Sequence, residues 1–477
     1  MTLLLRNGES ANRADIPCLS IPEFRSAVLR AVEGGGRIAS LFAHEGRLLA
    51  VLAIDARSTL EILSCEAGQS YPSLTANCPQ AHLFEREIAE QSGVKPEGHP
   101  WLKPVRTTQA EFFEVRGEEV HEVAVGPVHA GIIEPGHFRF QCHGERVIHL
   151  EIALGYQHRG VERALVGGPN KRTLPYMETL AGDTTIGHAL AYCELVEGLC
   201  GAAVPARAMA IRGIALELER LANHTGDLGA LANDVGYLPT ASYCGRIRGD
   251  WLNLTALLCG SRFGRGLIRP GGSSFDLEEP RAQELLARLE RAYRDVEGAT
   301  SLLWETPSVM ARFEDTGVVS RETAEELGLV GPAARACGIA RDSRQDFPSG
   351  IFQFAQIPVC SWHTGDVFAR AYVRQLEIQQ SVKFIREQVE SLPGGTLLAP
   401  TGPLAPERIG VALSEGWRGE ICHVALTDRE GRFARYKVVD PSFHNWTGLA
   451  MALREQEISD FPLCNKSFNL SYCGHDL

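Results

Sequence analysis

No stretch of the 477 residues approaches the roughly 18 uninterrupted apolar residues that a bilayer-spanning helix needs, so contact with a membrane has to come through partner subunits. The opening MTLLLRNGES has three apolar residues in a row before Arg6, too few for the apolar core of an export signal. Basic residues are in deficit, 47 Lys plus Arg against 59 Asp plus Glu for a net charge of -12, and that speaks against nucleic acid as a partner. There is no Cys-x-x-Cys pair; the closest spacings are Cys193 with Cys200 and Cys464 with Cys473. A short loop therefore cannot present two thiolates to one metal, which argues against an iron-sulfur cluster or structural zinc held by this chain. Thirteen cysteines without an export signal point instead to free thiols in a reducing compartment. Internal repeats and low-complexity tracts are also missing, and Gly34-Gly35-Gly36, with no Lys-Ser/Thr behind it, reads as a loop rather than a phosphate cradle.

What is present is a globular composition, 44% apolar with a mean hydropathy just below zero, and enough chain for two or three cores. Residues 37–65 alternate apolar runs with turn residues around His44-Glu45-Gly46 and predict a small antiparallel sheet. PQAHLFEREIAEQSG predicts a helix with Leu83, Phe84 and Ile88 on one face and Gly93 as its stop, closing a compact α+β domain near Arg106. HFRFQC and VIHLEIALG form a hairpin around Gly144. Helices follow: 204–232, its apolar stripe broken by Glu217, Glu219 and Arg220; a second opened by Pro280 and running through Leu285, Leu289, Ala292 and Val296; and a third from Asp366 to Leu392, with Val373, Leu376, Val382, Ile385 and Val389 as its buried face, ended by Pro393-Gly394-Gly395. Short strands return at Ile421–Leu426 and Arg435–Val439, before a polar, cysteine-dotted tail.

Six segments in order carry a family resemblance. FEREIAEQSGVKPEGHPWLKPVR (84–106), with Glu85, Arg86, Glu87, Gly98, His99, Pro100 and Arg106, resembles the complex I 30-kilodalton subunit. GPVHAGIIEPGHFRF (126–140), HRGVE (158–162), RGIALELERLANH (212–224), ARDSRQDFP (340–348) and SEGWRGE (414–420) resemble the large subunit of nickel-iron hydrogenases and its complex I 49-kilodalton relative. The resemblance implies an α+β chain: a small 30-kilodalton-like α+β domain over 1–115, then over 120–477 a mainly helical hydrogenase large-subunit-like domain that begins with a small antiparallel sheet.

The hydrogenases of this family hold nickel through two Cys-x-x-Cys pairs. Alignment on His188 to Tyr192 places Ala181 and Thr184 at the first pair, and alignment on Ser459 to Leu463 places Ser471 and Gly474 at the second. These residues supply no anionic soft donor, so nickel chemistry is not expected. The complex I quinone-binding His and Tyr fall at Pro135 and Gly182, so that pair cannot be carried over either. Glu134 matches the proton-passing Glu of hydrogenases, or else caps the turn before Pro135. His188 faces the same region, as hydrogen-bond donor and proton shuttle or as a satisfied interior His. Arg341, Asp342 and Arg344 form a cationic fork beside a carboxylate, suited to polarising a carbonyl or to holding the walls. Glu162, 19 residues before Ala181, is a magnesium-ligand candidate with no second ligand named, or an ion-pair partner of Arg159 or Arg163.

The expectation is thus a peripheral subunit on the cytoplasmic side of a membrane, with no cofactor or metal of its own. Its expected partners are a small subunit with a 4Fe-4S cluster, membrane proton-pumping subunits, and an electron-input module of the formate dehydrogenase or NADH dehydrogenase type, through which NAD would act. The expected acceptor is a quinone. The alternatives are a scaffold that only couples electron transfer to pumping, and a hydrogenase large subunit.

Overall fold

A computed structural model describes residues 2–107, 111–129 and 133–477. The first module contains β1 (Leu3–Leu5), β2 (Ser10–Asn12), β3 (Cys18–Leu19), α1 (Ile21–Glu33), β4 (Arg37–His44), β5 (Arg47–Ile54), β6 (Thr59–Glu66), β7 (Ser70–Pro72), α2 (His82–Ser92) and β8 (Lys95–Glu97). Its main sheet has the order β1-β6-β5-β4, with β3 parallel to β6. The expected antiparallel sheet over 37–65 is present because Glu45 and Gly46 take φ of 49° and 76°, the geometry of a tight two-residue hairpin. Ser20 and Glu23 close a capping box on α1, and Gly93, with φ 73°, ends α2. On α2 the apolar face is buried as expected, and so are Glu85, Arg86 and Glu87.

The second module opens with β9 (Val120–Val125), β10 (His137–His143) and β11 (Arg146–Ala153), in the order β11-β10-β9. The hairpin turns at Gly144, φ 59°; β9 was not foreseen, and residues 130–132 of the GPVHAGIIEPGHFRF segment lie outside the described residues. Then come α3 (Val161–Leu165), α4 (Thr173–Met177), α5 (Thr185–Cys200), α6 (Ala206–Asp234), α7 (Leu238–Cys259), the pair β12 (Ile268–Arg269) and β13 (Gly272–Ser273), α8 (Glu279–Trp304), α9 (Pro307–Phe313), α10 (Arg321–Leu327), α11 (Gly331–Arg335), α12 (Ser343–Asp346) and α13 (Val367–Glu390). Long α6 packs between α7 and α13. The chain returns to a sheet with β14 (Arg408–Gly416), β15 (Gly419–Thr427) and β16 (Phe433–Val439), and ends in α14 (Pro441–Ala452), α15 (Phe461–Phe468) and α16 (Tyr472–Asp476).

One expectation is corrected. Glu217, Glu219 and Arg220 do not break the stripe of α6 towards solvent: all three are buried. Glu217 meets Arg220 at 3.1 Å and Arg344 at 3.0 Å, and burial is tolerated because the charges are paired. The polar, cysteine-dotted tail is interior. Cys464, Phe468, Cys473, Asp476 and Leu477 are buried, and the polar Asn469 and Ser467 are met by Asp227 and Arg370. On α13, Leu376 is half-buried while Arg374 and Glu377 are buried, because these two pair with Asp227 at 2.8 Å and with Arg335 at 2.8 Å.

The two modules share a strand and a core. β2 pairs antiparallel with β14, Ser10 opposite Gly410 and Asn12 opposite Arg408, so the C-terminal sheet runs β16-β15-β14-β2. Asn7 clamps the same strand, its Nδ2 donating to Leu413 O at 2.9 Å and its Oδ1 accepting from Leu413 N at 2.7 Å. One hydrophobic cluster joins Val28, Leu41, Val51 and Phe84 of the first module to Ile409, Val411, Val424 and Phe443 of the second.

Candidate functional site

The four positions aligned with metal-binding cysteines come together although they are far apart in sequence. Ala181 and Thr184 precede α5, Ser471 and Gly474 start α16, and all four are buried. The HRGVE segment holds them there. Arg159 donates to Thr179 O at 2.8 Å, Leu180 O at 2.9 Å and Cys473 O at 3.4 Å, bridging the two segments. The backbone N–H groups of Arg159 and Gly160 donate to Leu477 O at 2.8 and 3.1 Å, and those of Gly155 and Gln157 donate to the Asp476 carboxylate at 2.7 and 2.9 Å. The motif is a receptor for the C-terminal tail. Glu162 does not pair with Arg159 or Arg163: it accepts from Lys437 at 2.9 Å, Arg435 at 3.1 Å and Val438 N at 3.0 Å, since Arg159 is committed to the carbonyls.

Side chains fill the space between the four positions. Asp440, at the end of β16, accepts from Ser442 N at 2.8 Å and from His188 Nε2 at 3.0 Å. His188 Nδ1 lies 3.1 Å from His423 Nε2, and His423 Nδ1 lies 2.8 Å from the Tyr436 hydroxyl. An ionised Asp440 can only accept, so His188 donates its Nε2–H to it; with a neutral His188 the line then runs from Tyr436 O–H to His423 and from His423 Nε2–H to His188. Burial raises the Asp440 carboxyl, but His188 and Arg418 outweigh it and hold it below the ordinary value. Burial pushes the His423 imidazole well down and the Tyr436 phenol well up, so both are neutral. A Cβ added at Gly474 would lie 2.7 Å from the Asp440 carboxylate.

Beside this line, the tip of the β14–β15 hairpin brings in Arg418. It grips Asp183 with two nitrogens at 2.5 and 2.8 Å, reaches Thr184 Oγ1 at 3.3 Å, and lies over the Trp417 ring at 3.9 Å. Glu219 caps the start of α5 through Ile186 N at 2.7 Å and Gly187 N at 3.2 Å; burial nonetheless pushes its carboxyl up to about 8. Gly182 is exposed, and a Cβ there would meet nothing within 4 Å. Half-buried Glu134 accepts from Tyr472 N at 3.3 Å and also hydrogen-bonds the Cys473 thiol, so it serves the tail rather than capping a turn before Pro135. Pro135 is half-buried on the same loop.

Glu134 contacts the tail directly, and His188 reaches it through Asp440. Arg341, Asp342 and Arg344 belong to a different assembly. Arg344 is buried between Asp342, at 2.9 Å, and Glu217, at 3.0 Å, while Arg341 points to Asp55 at 2.7 Å and Gly35 O at 2.7 Å. Arg335 joins Asp342 to Glu377 and Glu415. Ser343 links Glu415 to Glu420, and Glu420 bonds Arg37 of the first module. This ion network reaches the site through the hairpin that carries Glu415, Arg418 and Glu420 and through α6, where Glu217 and Arg220 neighbour Glu219. Sequence reading did not single out Asp183, Arg418, His423, Tyr436 or Asp440; Arg418 lay within the SEGWRGE segment, which was the one available signal.

The chain is a sheet-and-helix module fused to a helical body, whose C-terminal tail is locked by an HRGVE receptor against the start of a buried helix. The comparisons with known proteins give its family. The chain belongs to the family shared by the 30- and 49-kilodalton subunits of complex I and the group 4 hydrogenase large subunits. Residues 42–115 match the family described as the respiratory-chain NADH dehydrogenase 30 Kd subunit, and residues 234–408 match its 49 Kd subunit. Formate hydrogenlyase subunit 5 of Escherichia coli is 30% identical over 436 residues, covering 85% of this chain and 77% of that protein. NADH-quinone oxidoreductase subunit 4 of Thermus thermophilus is 31% identical over 384 residues, 75% of this chain and 94% of its own length. The carbon monoxide-induced hydrogenase of Rhodospirillum rubrum is 29% identical over 350 residues, 73% and 97% of the two chains. No helix among the described residues is long and apolar enough to cross a membrane.

Proposed function

We propose that the chain is the peripheral large subunit of a complex I-like, membrane-associated oxidoreductase on the cytoplasmic face. It takes electrons from the 4Fe-4S cluster of a small subunit and delivers them with protons to a quinone-type acceptor, without nickel. The observation that carries this reading is the unbroken hydrogen-bonded line Tyr436–His423–His188–Asp440, which ends beside Gly474. Quinone reduction consumes two electrons and two protons, and a hydrogen-bonded line of this kind would resupply protons to an acceptor bound at its end. A flat headgroup would lie in the open space beside Gly182, next to the Arg418–Asp183 pair, with Arg418 polarising its carbonyl. In this reading Glu134, at the tail, hands over a proton.

Nickel does not fit these residues. The four aligned positions offer no thiolate, the Asp440 carboxylate occupies the side-chain space of Gly474, and the Arg418 cation sits against Thr184. A soft dication would meet a guanidinium rather than sulfur. The electron-input module, of NADH or formate dehydrogenase type, and the membrane pumping subunits remain the expected partners.

A second reading is supported by the buried ion network from Arg37 to Glu217: a scaffold that transmits conformational change and does no acceptor chemistry. The purified complex, supplied with NADH or formate and a soluble quinone, separates the two. Quinone reduction that falls in Asp440→Asn and Glu134→Gln, with far less than one nickel per chain by elemental analysis, supports the first reading. No reduction in any preparation leaves the scaffold. Stoichiometric nickel overturns both and restores the hydrogenase reading.

A further inference from the structure

Helix α5 carries His188 near one end and two acids, Glu194 and Glu197, towards the other, Glu194 lying about 9 Å further along the axis at ~1.5 Å per residue. There a cavity of about 680 Å³ opens between the N-terminal segment, α5, α6 and the loop after α12, a size typical of small-molecule sites. Leu190, Met209, Ile351 and Phe352 give it an apolar wall. Gly213 allows that wall to form, since a Cβ there would lie 2.6 Å from Ile351.

Glu194 lines this cavity and is only 9% exposed. Its carboxylate is met by a single hydroxyl, Ser349 Oγ, at 3.0 and 2.9 Å, and it has no ion pair among the described residues. Of the other deeply buried carboxylates, Glu87, Glu217 and Glu377 carry cations, from Lys437 and Arg106, from Arg220 and Arg344, and from Arg335, while Glu85 and Glu219 each accept from two backbone N–H groups; among the described residues Glu194 has neither. The nearest guanidinium, Arg212, is spent on Glu197, at 3.1 and 2.5 Å, and Glu197 also accepts from Gly271 N at 2.7 Å. Arg408, on the facing strand, donates to Ser10 O at 2.7 Å. Exposed Glu9, at the rim, accepts from Arg6 N at 2.8 Å. A buried carboxyl without a counter-ion is the costly member of this set, and a cation entering the cavity would remove that cost.

We propose that the cavity is a binding site for a small organic cation with an apolar body, an alkylammonium or alkylguanidinium, whose head pairs with Glu194 while its stem lies on the Leu190–Phe352 wall. The inference stands apart from the acceptor reading, because it uses the opposite end of α5 and no residue of the tail. Burial, with Glu197 beside it, pushes Glu194 up to about 7, against the pull of Arg212 and Ser349. The empty site is therefore partly protonated at neutral pH. Binding converts the acid to a carboxylate and releases its proton to solvent, so a cation of fixed charge binds more tightly as pH rises through that value.

The test is calorimetric titration of the full chain with octylguanidinium below its micelle concentration, at pH 6 and pH 8, in buffers of different ionisation enthalpy. The ionised fraction of a group titrating near 7 rises from about one-tenth to about nine-tenths over that span, so affinity is expected to rise about tenfold, with close to one proton released at pH 6. Glu194→Gln is expected to weaken binding at least tenfold at pH 8 and to abolish the pH dependence while leaving the unfolding temperature unchanged or raised. Val204→Trp fills the cavity without touching a charge and is expected to lower affinity at both pH values. Absence of saturable binding overturns the proposal. So does the same affinity and pH slope in Glu194→Gln, or binding that Val204→Trp leaves untouched.

Discussion

If Asp440 has taken over the space beside Gly474, then adding one methyl group at that position should be felt almost entirely through Asp440. In Gly474→Ala the new Cβ would sit 2.7 Å from the Asp440 carboxylate and 2.9 Å from Ser471 Oγ. Neither neighbour is a free side-chain end: Asp440 is fixed by His188 and Ser442, and Ser471 caps α16 by accepting from Gly474 N. Overpacking of this kind costs about 1–3 kcal/mol, and disturbing a charge-assisted hydrogen bond adds about 1.5–3 kcal/mol, so a loss of about 2.5–6 kcal/mol is expected. Asp440→Ala alone strips His188 Nε2 and Ser442 N of their buried acceptor, at about 1–3 kcal/mol for each donor left unsatisfied. The double variant should cost less than the sum, by about 1–3 kcal/mol, because the methyl then occupies the room the carboxylate left. A chain of this size need not unfold in one step, so hydrogen exchange of peptides covering 471–477 and 185–200 is the appropriate assay, with thermal unfolding beside it. Strict additivity, or a Gly474→Ala variant protected as well as the parent, would refute the assignment of that space to Asp440.

The Glu87–Lys437–Arg106 cluster predicts an acid-sensitive step. Burial raises the Glu87 carboxyl, but Lys437 and Arg106 bring it down to about 2 from 4.5. Its contribution, about 3 kcal/mol, is fully present above pH 4.5 and is lost as pH falls towards 2; Glu87→Gln should flatten stability across that range. Gly198→Ala should release the N-terminal segment, since the new Cβ would fall 1.9 Å from Gly8 O. Ala is the better helix former, so a gain in helix stability alongside faster proteolysis near residues 7–12 is the expected pair of readouts. Arg335→Lys should cost about 3 kcal/mol or more, because one ammonium cannot span Glu377 and Glu415, both 2.8 Å from the guanidinium; denaturant titration checks it.

Local signals carried the parts of the fold that sequence reading recovered. The β4–β5 hairpin is written in Glu45-Gly46, the end of α2 in Gly93, and the start of α13 in Asp366, whose carboxylate accepts from Ala369 N at 2.8 Å. What local signals missed depends on distant partners. The tail looks like a solvated terminus because it contains Asn465, Lys466, Ser467 and Asn469, yet Arg370, Arg374 and Asp227 of other helices meet much of its polar surface. Hydrophobic patterning likewise misjudged α6, where charges face inward on paired partners. His188 was accessible through its alignment, but its partners His423 and Asp440 lie 235 and 252 residues away, and no spacing rule links them. The Arg341–Arg344 cluster shows the converse: a motif can be found correctly in sequence while its partners, Glu217 and Asp55, remain invisible.

The strand Ser10–Asn12 decides how this polypeptide can be taken apart. Dividing the gene near residue 115 to express the halves separately would strip β14 of its neighbour, leaving its backbone donors and acceptors bare along an apolar ribbon ready to recruit other chains. A soluble C-terminal fragment would need residues 7–12 supplied as a peptide or grafted by permutation.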